Sequence, residues 1–251
     1  MKKRVITISA IVAGIIILGL FFLWVLLPRI MLYKIVNSYL PNVDKSAEYF
    51  TDFNIANNDV QTIDNGYVSV KIPNRFIHNE EKAELIPCLY NTSDNSETIF
   101  FMSEKGDLSG LNLLDPEMYK DIDGVPPDIG VKEITKGFES IGKGLPDSAY
   151  NTYKLMLLIN KDDYSFWNLN KGVCFSIAAV MKEILISNYD KMYLYEKDNI
   201  RGIIEIEEKE DIHKVVFEIY NSDDLDTVYT LVIGVKNIDD AYAIINSAEF
   251  I

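Results

Sequence analysis

The sequence is poor in the side chains that build metal centres and disulfide frameworks. Among its 251 residues there are two histidines, His78 and His213, and two cysteines, Cys88 and Cys174. Neither histidine has a second ligand at helical or hairpin spacing, so no zinc site is predicted, and no other cofactor is expected. Both cysteines lie in apolar surroundings typical of buried thiols, although an oxidising compartment would permit a bond between them.

Sequence motifs of several enzyme classes are missing as well. The chain contains no G-x-S-x-G, H-E-x-x-H, P-loop or G-x-G-x-x-G pattern. Because it holds 38 Asp and Glu residues, some pair of carboxylates must lie close together, and their number does not indicate glycoside hydrolysis. The sequence therefore favours a protein without catalytic activity. The alternative is a cell-envelope hydrolase or transferase whose site is assembled from residues distant in sequence.

Basic residues are few and unevenly placed. Lys and Arg number 24 against 38 Asp and Glu, and the five basic residues among residues 1–34 are accompanied by no acidic residue. The rest of the chain therefore carries 19 basic and 38 acidic groups, a net charge of −19. Such a domain cannot bind nucleic acid by neutralising phosphates, and an anionic membrane surface would repel it. The charge would keep an extracytoplasmic domain soluble, or would attract a basic partner or divalent cations.

One long uncharged stretch, Val5–Leu27, dominates the N-terminus. A helix of these 23 residues would extend roughly 35 Å, enough to cross a hydrocarbon core of ~30 Å. The stretch is longer than the core of a signal peptide and no small-residue cleavage site follows it, which predicts a retained, single-pass membrane anchor. Lys2, Lys3 and Arg4 precede it and favour a cytoplasmic N-terminus. The predicted location is therefore the cell membrane, with the C-terminal domain outside the cytoplasm.

Four segments follow from this anchor. They are a cytoplasmic tail at residues 1–4, the transmembrane anchor at 5–27, a juxtamembrane connector at 28–65 and one extracytoplasmic domain at 66–251. Within the connector the anchor helix is predicted to continue to about Tyr39 and to stop at Pro41, because proline lacks a backbone donor and restricts the preceding residue. The remainder of the connector is interpreted as a spacer.

The extracytoplasmic domain reads as strands, then helices, then strands again. Residues 67–73 alternate between apolar and polar side chains, and further strands are predicted at 84–91 and 97–104. Two helices follow, at 147–160 and about 172–188, and the second has an apolar side made of Val173, Ile177, Val180, Met181, Ile184 and Leu185. A four-stranded meander is predicted at 192–196, 201–207, 213–220 and 227–236, before a last helix at 239–247. Without regular βαβ alternation, this order predicts an α+β fold in which helices pack on an antiparallel sheet.

Residues 105–146 hold seven of the 13 glycines and four of the eight prolines. This window is interpreted as a surface excursion with short helical turns at about 115–119 and 131–141, and such long loops are often functional. Its Asp121–Gly124 stretch resembles the start of a calcium loop but lacks a third ligand and the distal Glu. A second candidate is the aromatic segment 164–167, which would otherwise fill a gap between two helices. The predicted contact surface combines both segments through Tyr119, Asp121, Asp123, Tyr164, Phe166 and Trp167.

The two ends of the domain resemble the Mog1/PsbP-like fold family. At the start, a glycine turn leads into an alternating strand that ends in proline and an aromatic residue, Gly66 to Phe76. At the end, the apolar strand 229–235 leads into a short helix at 239–246, followed by Ser247 and Phe250. The resemblance implies an α/β/α sandwich and a largely non-catalytic family of binding or assembly modules, without transferable functional residues. We therefore expect a membrane-anchored module that binds a partner in the cell envelope; an accessory or sensor subunit of a membrane transporter is a further alternative.

Overall fold

The computed structural model describes residues 25–39, 44–45, 47–51, 59–82, 86, 88–102, 105–116, 127–186 and 189–251. These residues form five α-helices and twelve β-strands. The helices are α1 Leu27–Tyr39, α2 Pro127–Ile141, α3 Ala149–Leu158, α4 Leu169–Ile186 and α5 Ile238–Asn246. The strands are β1 Glu48–Tyr49, β2 Val60–Asp64, β3 Val68–Pro73, β4 Ile77–His78, β5 Leu89–Asn91, β6 Thr98–Phe101, β7 Gly106–Asp107, β8 Lys191–Lys197, β9 Ile200–Glu208, β10 His213–Asn221, β11 Asp224–Val235 and β12 Glu249–Phe250.

The main sheet has nine strands and is built around the predicted meander. Strands β8 to β11 pair antiparallel in chain order, and the complete order is β1-β8-β9-β10-β11-β6-β5-β4, with β7 also on β11. The β8–β9 turn needs a left-handed residue, and Asp198 supplies it with φ of 49°. All four strands of the meander, and the final helix, are confirmed within one to three residues at each end.

A second, three-stranded sheet covers one face of the main sheet. Its order is β12-β3-β2, so the C-terminal residues pair with the strand that was predicted first in the domain. Apolar side chains of both sheets and of α5 form one buried core, which includes Val68, Ile204, Phe217 and Ile244. This core explains the period-two pattern of β3, since its alternate residues Val68, Val70 and Ile72 are all buried.

Helices α1 to α4 lie on the opposite face of the main sheet, with α4 at their centre. Helix α3 contacts the sheet, where Ala149, Tyr150 and Leu157 pack on Ile203 and Tyr220. Helices α1, α2 and α3 each contact α4 and enclose a separate apolar core. This core includes Val36 of α1, Phe138 of α2, Leu155 of α3 and Phe175 of α4.

A charged bridge joins the two layers beneath α5. Arg75, just after β3, donates to both carboxylate oxygens of Glu97 at 3.0 Å and to Asp240 of α5 at 2.7 Å. Glu97 also accepts the backbone N–H of Lys236. Burial of Glu97 raises its pKa, but the hydrogen bonds from Arg75 and Lys236 outweigh this, so the net pKa is lowered. Arg75 therefore fixes the end of the small sheet against the main sheet.

The predicted fold class is wrong in its architecture. An α/β/α sandwich on one antiparallel sheet, behind a transmembrane helix, was expected; the structure has two sheets, and β1 pairs with β8 in parallel. Nowhere in the described residues is there a helix both long and apolar enough to cross a membrane. Residues 5–24 of the predicted anchor lie outside the described residues, and only its last three are included. Periodicity could not reveal the complete second sheet, because β12 pairs with β3 across about 180 residues of sequence.

Two predicted segments have more regular structure than expected. The predicted connector contains α1, which ends at Tyr39 as predicted, and also β1 and β2. In the 105–146 window, α2 runs for 15 residues from Pro127, and its Phe138 and Ile141 are buried. Cys88 and Cys174 are both free thiols: Cys174 lies in the helical core, and Cys88 packs at the sheet core.

Candidate functional site

The aromatic segment after α3 packs against the first helix. Tyr164 donates a hydrogen bond from its hydroxyl to the carbonyl of Arg29 at 3.3 Å. Its ring lies 6.0 Å from that of Tyr33 and 5.7 Å from that of Phe175 on α4. Burial raises the pKa of Tyr164. Tyr164 thus fills the space between α1 and α4, as the alternative interpretation of this segment expected.

The next two aromatic residues lead outward from Tyr164. The ring of Phe166 lies 6.4 Å from Tyr33 and 5.1 Å from Trp167. Trp167 is 74% exposed and Tyr33 is 51% exposed, which is unusual for side chains of their size. We call Tyr33, Tyr164, Phe166 and Trp167 the aromatic cluster. Its inner end is packed and its outer end is open to solvent.

The other half of the predicted contact surface lies outside the described residues. Tyr119, Asp121 and Asp123, together with the stretch that resembles a calcium loop, fall within residues 117–126. The structure therefore brings Tyr164, Phe166 and Trp167 together but gives no position for the three residues of the excursion. Among the residues it does describe, no group of three or more His, Cys, Asp or Glu side chains is arranged to hold a metal ion.

Helix α4 turns an apolar side toward solvent. Ile177, Val180 and Ile184 are exposed, Ile184 by 68%, and Val173 on the same side is half-buried. We call Val173, Ile177, Val180 and Ile184 the outer stripe. These are the residues whose periodicity predicted the apolar side of this helix, yet the buried side is a different one, formed by Cys174, Phe175, Ala178 and Ala179.

A lysine on the buried side of α4 accounts for this orientation. Lys182 is 0% exposed, and its ammonium group donates to the carbonyl of Ile159 at 2.7 Å and of Leu157 at 3.5 Å. These carbonyls end α3, where a helix leaves its acceptors unpaired and favours a positive charge. Burial lowers the pKa of Lys182 to about 8. The inner face of α4 therefore carries the charge, and the outer stripe carries none.

The surroundings of the outer stripe and the aromatic cluster contain no acidic residue over long stretches. Neither α1 nor residues 164–182 include an Asp or Glu, and Arg29, Lys34 and Lys171 lie in these segments; the nearest acidic residues are Glu183, next to Ile184, and Glu133 of α2, which accepts a hydrogen bond from Asn170. In a chain of net charge −14, this helical side is the exception. It is apolar to weakly basic, and it differs in charge from the rest of the domain.

A second candidate lies between the main sheet and α3. Glu205 on β9 and Glu218 on β10, here called the acidic pair, share the sheet face that carries Ile203 and Tyr220. Tyr220 donates to Glu218 at 3.1 Å. Burial, and secondarily the charge of Glu218, raises the pKa of Glu205 to about 8. Burial likewise raises the pKa of Glu218.

A cleft of about 310 Å³ approaches the acidic pair from the edge of the sheet. It lies between β1 and the start of β8, and Leu157 of α3 forms part of its wall. Tyr189 also lines it and lies beside Glu205, and the Glu205 side chain is buried, with only 5% of the residue exposed. A single tyrosine thus connects the cleft to a carboxyl group that is protonated near neutral pH.

The acidic pair was not predicted. Alternation along β9 places Ile204 and Ile206 on one face of the strand and Glu205 on the other. The opposite face is also buried, because α3 covers it. The available signal was the continuous apolar run around Glu205, since strands covered on both faces lack alternation.

The two histidines do not join the acidic pair. His78 packs its ring on Tyr90 at 5.2 Å, at the edge strand β4 of the main sheet. His213 begins β10, five residues and therefore about 17 Å along the strand from Glu218. The arrangement of a histidine with two carboxylates, which would favour hydrolysis, does not occur here among the described residues.

Comparison with known proteins identifies no relative of this chain. No protein-family model, curated protein or solved structure matches the chain. The resemblance to the Mog1/PsbP-like fold family therefore stays a prediction.

Proposed function

We propose that the protein is a non-catalytic binding or assembly module at the outer surface of the cell membrane, and that the outer stripe of α4 binds its partner. The observation that carries this proposal is the exposure of Ile177, Val180 and Ile184 on one side of a well-packed helix. Contiguous exposed apolar side chains on a folded domain mark surfaces that another molecule covers.

The spacing of the stripe indicates the partner's structure. Its residues recur at intervals of four, three and four, from Val173 to Ile184. This is the spacing at which one helix packs along another. The stripe also carries no charge, so it suits an apolar helix better than a charged loop. We therefore propose a protein partner in the cell envelope that presents such a helix.

The membrane location rests on the sequence. The uncharged stretch 5–27, the preceding cations and the absence of a cleavage site after it support attachment with residues 28–251 outside the cytoplasm. The net charge of −19 beyond residue 34 suits a soluble domain in that place.

Site-specific photo-crosslinking tests the partner surface. A benzophenone amino acid replaces Ile184 in the full chain, within its native membranes, and a matched probe replaces Glu210 in the exposed β9–β10 turn. We expect a reproducible adduct with one protein from position 184 and none from position 210. The double variant I177K/V180K should abolish that adduct while the melting curve stays close to that of the wild type, because both side chains are on the surface.

Three results would overturn the proposal. They are no adduct from position 184, equal adducts from both positions, or an adduct formed only with another copy of this chain. If the captured protein is a membrane transporter, the module is an accessory or sensor subunit of it.

The acidic pair favours a second candidate function. A glutamic acid with a pKa of about 8, whose neighbour Tyr189 lines a cleft, can act as a general acid near neutral pH. A hydrolase or transferase would then use Glu205, with Tyr189 at the cleft wall. Chromogenic ester, phosphate ester and glycoside substrates test this candidate. Turnover lost in E205Q but retained in E210Q would support it, and no turnover by the wild type would count against it.

A further inference from the structure

We propose that the outer end of the aromatic cluster, Tyr33, Phe166 and Trp167, lies in the headgroup layer of an anionic lipid bilayer. This inference rests on the proposed membrane location and specifies how the domain sits on the membrane. The proposed protein partner binds elsewhere, along the outer stripe of α4.

The position of α1 places the cluster at the right height. Residues 25–26 are helical and run directly into α1 at Leu27, the last residue of the uncharged stretch. Tyr33 follows six residues later, about 9 Å along the helix axis, which is about 8 Å along the membrane normal when the roughly 35 Å stretch tilts to fit a core of ~30 Å. The headgroup layer is about 5–8 Å thick on each side of the hydrocarbon core. Phe166 is held beside Tyr33 by a ring contact at 6.4 Å, and Trp167 continues outward from Phe166 at 5.1 Å.

The exposed side chains suit this layer. Trp167 is 74% exposed and Tyr33 is 51% exposed, and both combine an apolar ring with a hydrogen-bonding group. Such side chains concentrate at the membrane interface. Met31 and Leu27 are also exposed on α1, nearer to the proposed hydrocarbon core.

Charge complementarity selects the lipid. The cluster is flanked by Arg29, Lys34 and Lys171, and neither α1 nor residues 164–182 hold an acidic residue. The remainder of the domain is strongly acidic and would be repelled by anionic headgroups. A contact through this side presents Arg29, Lys34 and Lys171 to such a surface.

The two tryptophans of the chain allow a direct test. W24F leaves Trp167 as the single emitter, and W167F leaves Trp24 within the uncharged stretch. Each full-length variant is reconstituted in vesicles of phosphatidylcholine and phosphatidylglycerol that carry a spin label near the headgroup or deep in the acyl chains. We expect the emission maximum of Trp167 in vesicles to lie at a shorter wavelength than that of the denatured protein in buffer without detergent. We also expect the label near the headgroup to quench Trp167 more than the label deep in the acyl chains.

The outcomes separate this inference from the membrane location. If Trp24 is quenched by lipid labels while Trp167 is quenched only by aqueous iodide, the headgroup contact is wrong and the membrane location stands. If neither tryptophan responds to either label, the membrane location itself is wrong. Quenching of Trp167 should weaken in K34E/K171E and in vesicles of phosphatidylcholine alone. Unchanged quenching of Trp167 in both experiments would contradict the inference that the contacted lipid is anionic.

Discussion

Glu205 and Lys182 are charged residues at positions where burial opposes charge. Lys182 donates to two carbonyls at the end of α3, while Glu205 lies near Tyr189 and near a second carboxyl group, that of Glu218. The two therefore differ in cost. The charge of Lys182 is compensated by hydrogen bonds, whereas ionised Glu205 would place a negative charge beside Glu218.

The pH dependence of stability in a Glu205 variant tests how much its burial costs. Since its pKa rises from 4.5 in the unfolded chain to about 8 in the folded one, the folded state keeps a proton that the unfolded state releases. The contribution of Glu205 to the free energy of unfolding is therefore largest below pH 4.5 and falls as the pH rises to about 8. The fall is at most about 1.4 kcal/mol per pH unit. We expect E205Q to flatten this decline and to be more stable than the wild type by about 1–3 kcal/mol at pH 7.

Urea denaturation of the full chain in detergent between pH 5 and pH 8 measures this effect. E210Q is the control, because Glu210 lies exposed in the β9–β10 turn and should follow the wild-type pH dependence. An E205Q variant whose stability declines with pH as steeply as the wild type would contradict the assignment. A cycle with E218Q would then show how far the two carboxyl groups titrate together.

Helices α2 and α4 approach each other at Gly137. A Cβ atom there would lie 2.2 Å from the sulfur of Cys174 and 3.0 Å from the carbonyl oxygen of Asn170. We expect G137A to destabilise the protein by about 1–3 kcal/mol, although alanine favours a helix by about 1 kcal/mol over glycine. The reason is that part of the clash involves backbone of α4, which cannot move aside as a side-chain end can.

A double-mutant cycle checks this contact. C174A removes the sulfur, so G137A should cost less in a C174A background, with a coupling above about 0.5 kcal/mol. Equal costs in both backgrounds would show that the sulfur does not set the helix separation. A G137A protein as stable as the wild type would show that α2 and α4 have room to separate.

Helices were harder to predict in orientation than in position. The spacing of Val173, Ile177, Val180 and Ile184 correctly located α4 and gave it an apolar side, but it did not show that most of this side stays exposed. The actual inner face is set by small residues such as Ala178 and Ala179, which allow close helix packing, and by the acceptors at the end of α3 that draw in Lys182. Neither property belongs to α4 alone.

The orientation of the whole molecule at the membrane is open to a simple test. With the N-terminus in the cytoplasm, protease added to intact cells or spheroplasts should remove the domain beyond residue 28. The reason is that three of the first four residues are positively charged and the domain after residue 34 is acidic. Immunoblotting with an antibody to the C-terminal residues measures the loss. Full protection in intact cells, with digestion after lysis, would contradict the orientation.

The amino-acid sequence by itself determined the local features of the chain. The meander β8–β11, its turns, the final helix and the separation of charge between residues 1–34 and the remainder all follow from near neighbours. Period-two alternation, turn-forming residues and local charge act over a few positions, so a single sequence displays them.

Contacts between distant residues decided the rest. The pairing of β12 with β3, the parallel pair β1–β8 and the covering of Glu205 by α3 join segments more than 45 residues apart. The exposed outer stripe and the aromatic cluster, which carry the proposed functions, arise in the same way. Burial of an apolar side chain is favourable on any apolar surface. The apolar pattern therefore predicts that a residue is buried, but not which element it contacts. The packing of α1, α2 and α3 on α4 determines which apolar side of α4 remains exposed.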